Sequence, residues 1–178
     1  MRALTADEVV RGEVSEDLRR ALAAAGSAVQ FSGRVIHGFG RGGKQLGFPT
    51  ANLPLSDDGA GAPDLPLGIY YGVARVPEIT GSAVFGMAMS VGWNPYFQNQ
   101  RKALEVHVLN EFAADFYGEM LQAVVLGRIR PEHNFASLDD LKRAIADDVA
   151  YARAQLAAHP ERSEQAMLDA FGPALPRS

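Results

Sequence analysis

From Val29 onward, glycine and proline cut the chain into short runs rich in valine, isoleucine and tyrosine, a texture that excludes an architecture built mainly of long helices. Five of these runs have strand length: residues 29–37, 68–76, 84–91, 103–110 and 120–129. Short strands at this spacing specify an all-β sandwich or barrel, and closure into a barrel is the favoured reading. One run is especially clean. In Leu104-Glu105-Val106-His107-Val108 every second residue is apolar, so Leu104, Val106 and Val108 claim the core while Glu105 and His107 share the opposite face.

Helical patterns are confined to the two ends. Thr5 and Glu8 form a capping box, and Leu18, Leu22 and Ala23 recur at helical spacing before Gly26, so residues 1–28 are expected to be a helical extension. Near the other end, Ser137-Leu138-Asp139-Asp140 is a helix start signal. The stripe Leu138, Leu141, Ile145, Ala152 and Leu156 predicts a helix that packs against the barrel and stops before Pro160. A shorter helix is expected over 164–171, ended by Gly172-Pro173. The resulting division is an extension over 1–28, a barrel domain with its helix over 29–158, and a tail over 159–178.

A length of 178 residues, 47% of them hydrophobic, suffices for one packed domain. The absence of cysteine rules out disulfides and thiolate metal sites, so any metal must take oxygen or imidazole ligands, which favours a hard cation. With a net charge of −4 there is no electrostatic footprint for nucleic acid. Charged residues interrupt the N-terminal stretch and no apolar run reaches membrane length, so an intracellular, cytoplasmic protein with small-molecule substrates and no membrane partner is expected.

The long segment 38–67 is where chemistry concentrates. Gly38-Phe39-Gly40-Arg41-Gly42-Gly43-Lys44-Gln45 satisfies G-x-G-x-x-G and the first seven positions of a Walker A loop. Gln45 stands where Walker A needs Ser or Thr, and Pro49 and Pro54 forbid the long helix that both motifs require. What remains is a glycine-rich loop in a β context, able to bring backbone N–H groups and the Lys44 or Arg41 charge to phosphate, or simply a solvated turn.

If the loop does hold a nucleoside triphosphate, its cation needs ligands from elsewhere. Gly47-Phe48-Pro49-Thr50-Ala51-Asn52 offers them, because in an extended segment alternation puts the Thr50 hydroxyl and the Asn52 amide on one side. Glu105 is a candidate general base, with His107 the alternative on the same face. Aromatic residues gather in three turns, Trp93-Asn94-Pro95-Tyr96-Phe97, Asp115-Phe116-Tyr117-Gly118 and Arg130-Pro131-Glu132-His133-Asn134-Phe135. Together they favour a planar ligand held by stacking, with Arg130 either stacked or aimed at phosphate.

In this order, the segments 38–52, 68–72, 90–96, 105–107, 115–118 and 130–135 resemble the riboflavin kinase (flavokinase) family, in particular its eukaryotic-type, single-function members. The resemblance implies a six-stranded antiparallel Greek-key barrel with a C-terminal helix. It implies ATP as phosphoryl donor, riboflavin as acceptor, FMN and ADP as products, and magnesium as the cation, with zinc or manganese as alternatives. By the same resemblance Gly38 and Lys44 belong to the loop over the ATP phosphates, Thr50 and Asn52 are cation ligands, and Glu105 deprotonates the ribityl hydroxyl. Val108, Asn110 and Tyr117 match nucleotide-contacting positions, and Arg130, His133 and Phe135 match flavin-contacting ones.

The chain departs from the family pattern at Asn110, where members often carry histidine, and at His133, where they often carry lysine. Riboflavin is expected between the 115–118 and 130–135 turns. Some bacterial relatives fuse this domain to an adenylyltransferase. The roughly 30 residues before the barrel are too few for a second nucleotide-binding domain, so FAD synthesis is not expected, and a monomer is.

Overall fold

The structure, a computed structural model, describes residues 29–38, 47–53, 65–93 and 102–173. The extension 1–28, Lys44 and the Asn94–Phe97 turn lie outside the described residues.

Six strands form one sheet: β1 (Val29–Arg34), β2 (Ala51–Leu53), β3 (Gly68–Arg75), β4 (Phe85–Trp93), β5 (Lys102–Val108) and β6 (Met120–Arg130). Their order is β1-β6-β3-β4-β5-β2, with each neighbouring pair antiparallel. The two edge strands meet where the Ile36 N–H donates to the Asn52 carbonyl at 2.9 Å, and this bridge curls the sheet back on itself. The expected all-β core with peripheral helices is present, as a six-stranded antiparallel sheet curled into a half-barrel.

The expected strand alternation holds in β5, where Leu104, Val106 and Val108 are buried in the barrel core beside Phe31, Leu53, Met89, Val91 and Leu121. Tyr70, also fully buried, satisfies its hydroxyl by donating to the Pro66 carbonyl at 2.6 Å. Each of the five expected strands differs from the sequence reading at one or both ends, by one to three residues, and β5 stops at Val108 rather than at residue 110. β1 ends at Arg34, with Ile36 joining β2 by the lone bridge, and β4 runs on to Trp93. β2 itself was hidden inside the long connection, since three residues carry too little periodicity to declare a strand.

Three helices are described: α1 (Pro77–Thr80), α2 (Leu138–Ala158) and α3 (Pro160–Phe171). Ser137 caps α2, its hydroxyl accepting from the Asp140 N–H at 3.1 Å. α3 starts four residues earlier than expected, because Pro160 ends α2 and also suits the first helical position of α3.

A second apolar cluster lies on the outer side of the sheet. Met167 of α3 packs there with Val73, Val124 and Leu156. Arg75, buried beneath it, donates to Gln122 Oε1 at 2.6 Å and to the Gly172 carbonyl at 3.1 Å, placing a cation at the C-terminal end of α3 where the helix dipole favours one.

The N-terminal half of α2 does something else. Leu141 and Ile145 do not join either apolar cluster but line a cavity, with Leu138 71% exposed at its edge. The stripe that reads as a packing face is, over its first two turns, the wall of a cleft.

Candidate active site

The cleft lies between the outer face of β4 and β5, the segment after β6, and α2. Its volume is about 670 Å³, within the usual range for small-molecule pockets. Phe48, Thr50, Ser90, Glu105, Arg130, Glu132, Phe135 and Ile145 are among the residues around it.

Strand register places the polar groups. Glu105 is paired with Asn52 on one side and Ser90 on the other, so these three side chains share the outward face of three adjacent strands. Thr50, two residues before Asn52, donates from its hydroxyl to Glu105 Oε2 over a long 3.4 Å. Glu105 reaches solvent at the cleft mouth, yet the surrounding protein removes enough water to push its carboxyl above the usual range, with the Thr50 hydrogen bond acting in the opposite direction.

His107, the alternative base, is already engaged. Its Nδ1 lies 2.8 Å from the Pro49 carbonyl, which requires the proton on Nδ1, and its ring meets Phe48 edge-on at 5.6 Å. It thus anchors the segment that carries Thr50.

Gly38 touches this group from above. A Cβ there would lie 2.3 Å from Asn52 Nδ2, so any side chain at position 38 would displace the amide. The Thr50 hydroxyl and Asn52 amide are neutral oxygen donors beside a carboxylate, a set that suits a hard divalent cation only when phosphate oxygens complete its shell. Among the described residues no group of three or more His, Asp or Glu side chains could hold a metal alone.

Arg130 is engaged by neighbouring groups of the protein. Its Nε and Nη2 donate to Asp148 Oδ1 and Oδ2 at 2.8 and 2.7 Å, Nη1 donates to the Pro131 carbonyl at 3.2 Å, and the guanidinium sits 5.6 Å over the Phe135 ring. Asp148 thus clamps it, and it lies over the Phe135 ring. Burial raises the Asp148 carboxyl and Arg130 opposes that rise. Sequence reasoning missed Asp148, although a carboxylate between Ile145 and Ala152 on an apolar stripe was a usable signal.

The remaining sites fall elsewhere. Tyr117 stacks on His37 with centroids 3.6 Å apart, and Arg34 Nη1 donates to the Gly118 carbonyl at 2.8 Å, which ties the 115–118 turn to the end of β1. This turn does not border the cleft, contrary to the expectation that it would face the 130–135 segment across riboflavin. The reason is that Gly118 and Glu119 pair with Val35 and so belong to the barrel end where β1 and β2 meet. The Val108 side chain is buried in the core and Asn110 follows β5. His133 and Phe135 border the cleft.

Fold and cleft together define a small β protein in which a carboxylate and two neutral oxygen donors stand at the edge of a cavity of small-molecule size. Comparison with known proteins narrows this. The family model described as Flavokinase: Riboflavin kinase matches residues 25–156. Over 125 residues the chain is 48% identical to the riboflavin kinase of Mus musculus and 47% identical to that of Homo sapiens, in both cases covering 70% of this chain and 78% of the relative. The crystal structure of riboflavin kinase from Trypanosoma brucei matches with a TM-score of 0.61 at 28% identity, over 85% of this chain and 95% of that one.

The chain belongs to the riboflavin kinase family and is a kinase that transfers phosphate to riboflavin. The family uses ATP and a divalent cation. No described helix is long and apolar enough to cross a membrane.

Proposed function

We propose that the cleft binds riboflavin, with the flavin ring against the apolar wall of α2 and the ribityl chain directed toward Glu105. The observation that carries this is the common outward face shared by Thr50, Asn52 and Glu105 at the edge of a cavity with an apolar wall. ATP then approaches from the side of Gly38, where the 38–52 segment, including Lys44, covers its phosphates, and Asn110, Tyr117 and the Val108 backbone flank the nucleoside. Arg130, His133 and Phe135 form the flavin side.

In this reading Glu105 accepts the proton of the ribityl 5′-hydroxyl as that oxygen forms its bond to the γ-phosphorus and the bond to the ADP oxygen breaks. A carboxyl held above its ordinary range is a better proton acceptor at neutral pH than an ordinary carboxylate. Thr50 and Asn52 hold the cation, magnesium by preference, which offsets charge developing on the phosphates. His107 keeps Thr50 in place through Pro49, and the Asp148 clamp keeps Arg130 and Phe135 at the ring end. We assign this chemistry to residues 29–158, with 1–28 and 159–178 as appendages.

The test is to incubate the purified protein with riboflavin, ATP and one divalent cation at a time and to separate the flavins by chromatography. FMN and ADP in equal amounts, with magnesium most effective, is the expected result. A protein that makes FMN equally well after Asn52→Ala and Thr50→Val would remove the cation assignment.

A further inference from the structure

Glu132 stands in the same cleft as Glu105, and none of the roles described above uses it. A Cβ at Gly92 would lie 2.4 Å from Glu132 Oε1, so the exposed Glu132 carboxylate rests against β4 beside a glycine. Gly92 is two residues beyond Ser90 and hence on the same face of β4, and Ser90 is the cross-strand partner of Glu105. Glu132 is therefore placed one step along the barrel wall from Glu105.

Among the described residues its carboxylate makes no hydrogen bond or ion pair. The nearest candidate, Arg130, directs its donors to Asp148 and to the Pro131 carbonyl. Burial pushes the Glu132 carboxyl up and the Glu105 charge adds to this, while Arg130 opposes it. An exposed carboxylate in the cleft with no protein donor of its own is open to hydrogen bonds from a ligand's hydroxyls.

The donors that a flavin presents beyond its ring are the hydroxyls of its side chain. We propose that Glu132 is a specificity-determining residue that accepts hydrogen bonds from the ribityl hydroxyls, and so selects a flavin carrying a polyol over one without it. This rests on the reading of the cleft as the riboflavin site. A site built to accept from substrate hydroxyls discriminates strongly against an analogue that lacks them.

The experiment is a fluorescence-quenching titration of the full chain with riboflavin and with lumiflavin, which has the same ring but a methyl group in place of the ribityl chain. Glu132→Ala is expected to weaken riboflavin binding about tenfold or more while lumiflavin affinity stays within about twofold. Gly92→Ala, which crowds the carboxylate without removing it, is expected to give a smaller loss with the same selectivity.

Equal weakening of both flavins would mean that Glu132 only shapes the loop, and no weakening of either would mean that it does not reach the ligand; both results overturn the proposal. Ile145→Trp, which fills the apolar wall, separates failure of the underlying reading. It is expected to reduce binding of both flavins. Unchanged binding of both by Ile145→Trp would overturn the cleft assignment and this inference with it, whereas blocked binding together with a non-selective Glu132→Ala overturns the inference alone.

Discussion

Asn52 and Glu105 stand opposite one another in the pairing of β2 with β5. This register joins two halves of the site. Asn52 is in contact with Gly38 and with the barrel end where Tyr117 stacks on His37, while Glu105 opens into the cleft bounded by Arg130, Glu132 and α2. In the proposed reading, a phosphoryl donor on one side and an acceptor on the other would meet at this pair.

If Asn52 holds the cation, Asn52→Ala should raise the magnesium concentration needed for half-maximal rate by about tenfold and leave riboflavin affinity unchanged, since loss of one neutral ligand weakens a site already dependent on phosphate. Rate measurements across a magnesium titration, with flavin binding measured separately, check this. Gly38→Ala should behave similarly, because the added methyl displaces the Asn52 amide without touching the flavin cleft.

The pH profile follows from the raised carboxyl of Glu105. With its ionised form as the proposed base, kcat/KM should fall as pH drops through a value above the ordinary carboxylate range. Thr50→Val removes the hydrogen bond that favours ionisation and should move this acid limb to higher pH at saturating magnesium.

Stability carries the same sign. A raised folded-state value means that the stability linked to Glu105 is fully present below its unfolded value and declines as pH rises through the folded one. Glu105→Gln should accordingly raise Tm near pH 8 and leave it unchanged near pH 4, a comparison that calorimetry at the two pH values provides.

Asp148→Asn should be costly. The Arg130 and Asp148 side chains are 12% and 7% exposed, and removing one charge of such a buried pair typically destabilises by about 3–5 kcal/mol. A lower Tm together with a raised KM for riboflavin is expected, because Arg130 also holds the Phe135 ring. Met167→Ala offers the contrast. It should cost about 2–5 kcal/mol by opening a cavity under α3, with kcat unchanged wherever the protein remains folded.

Much of this arrangement is legible in the residues themselves. Strict alternation over 104–108 places Glu105 and His107 off the core, and the Pro-Thr-x-Asn segment places its two oxygen donors on one side. Both follow from local periodicity, which sequence carries well. The partners are non-local. Nothing near Glu105 in the chain indicates that Asn52 lies across from it, and nothing near Arg130 names Asp148, since strand order and helix docking bring them together over long sequence separations. The stripe on α2 was visible, but periodicity marks only an apolar face and not whether protein or ligand covers it. The acceptor itself came from the likeness of ordered motifs to a family, which no single motif would have supported.

The most direct measurement is single-turnover FMN formation by Glu105→Gln set beside its riboflavin affinity. With Glu105 as the base, riboflavin affinity should stay within about threefold of the native protein, and the rate of FMN formation should fall about 10²–10⁴-fold. Near-native FMN formation by Glu105→Gln, with riboflavin bound, would contradict the account.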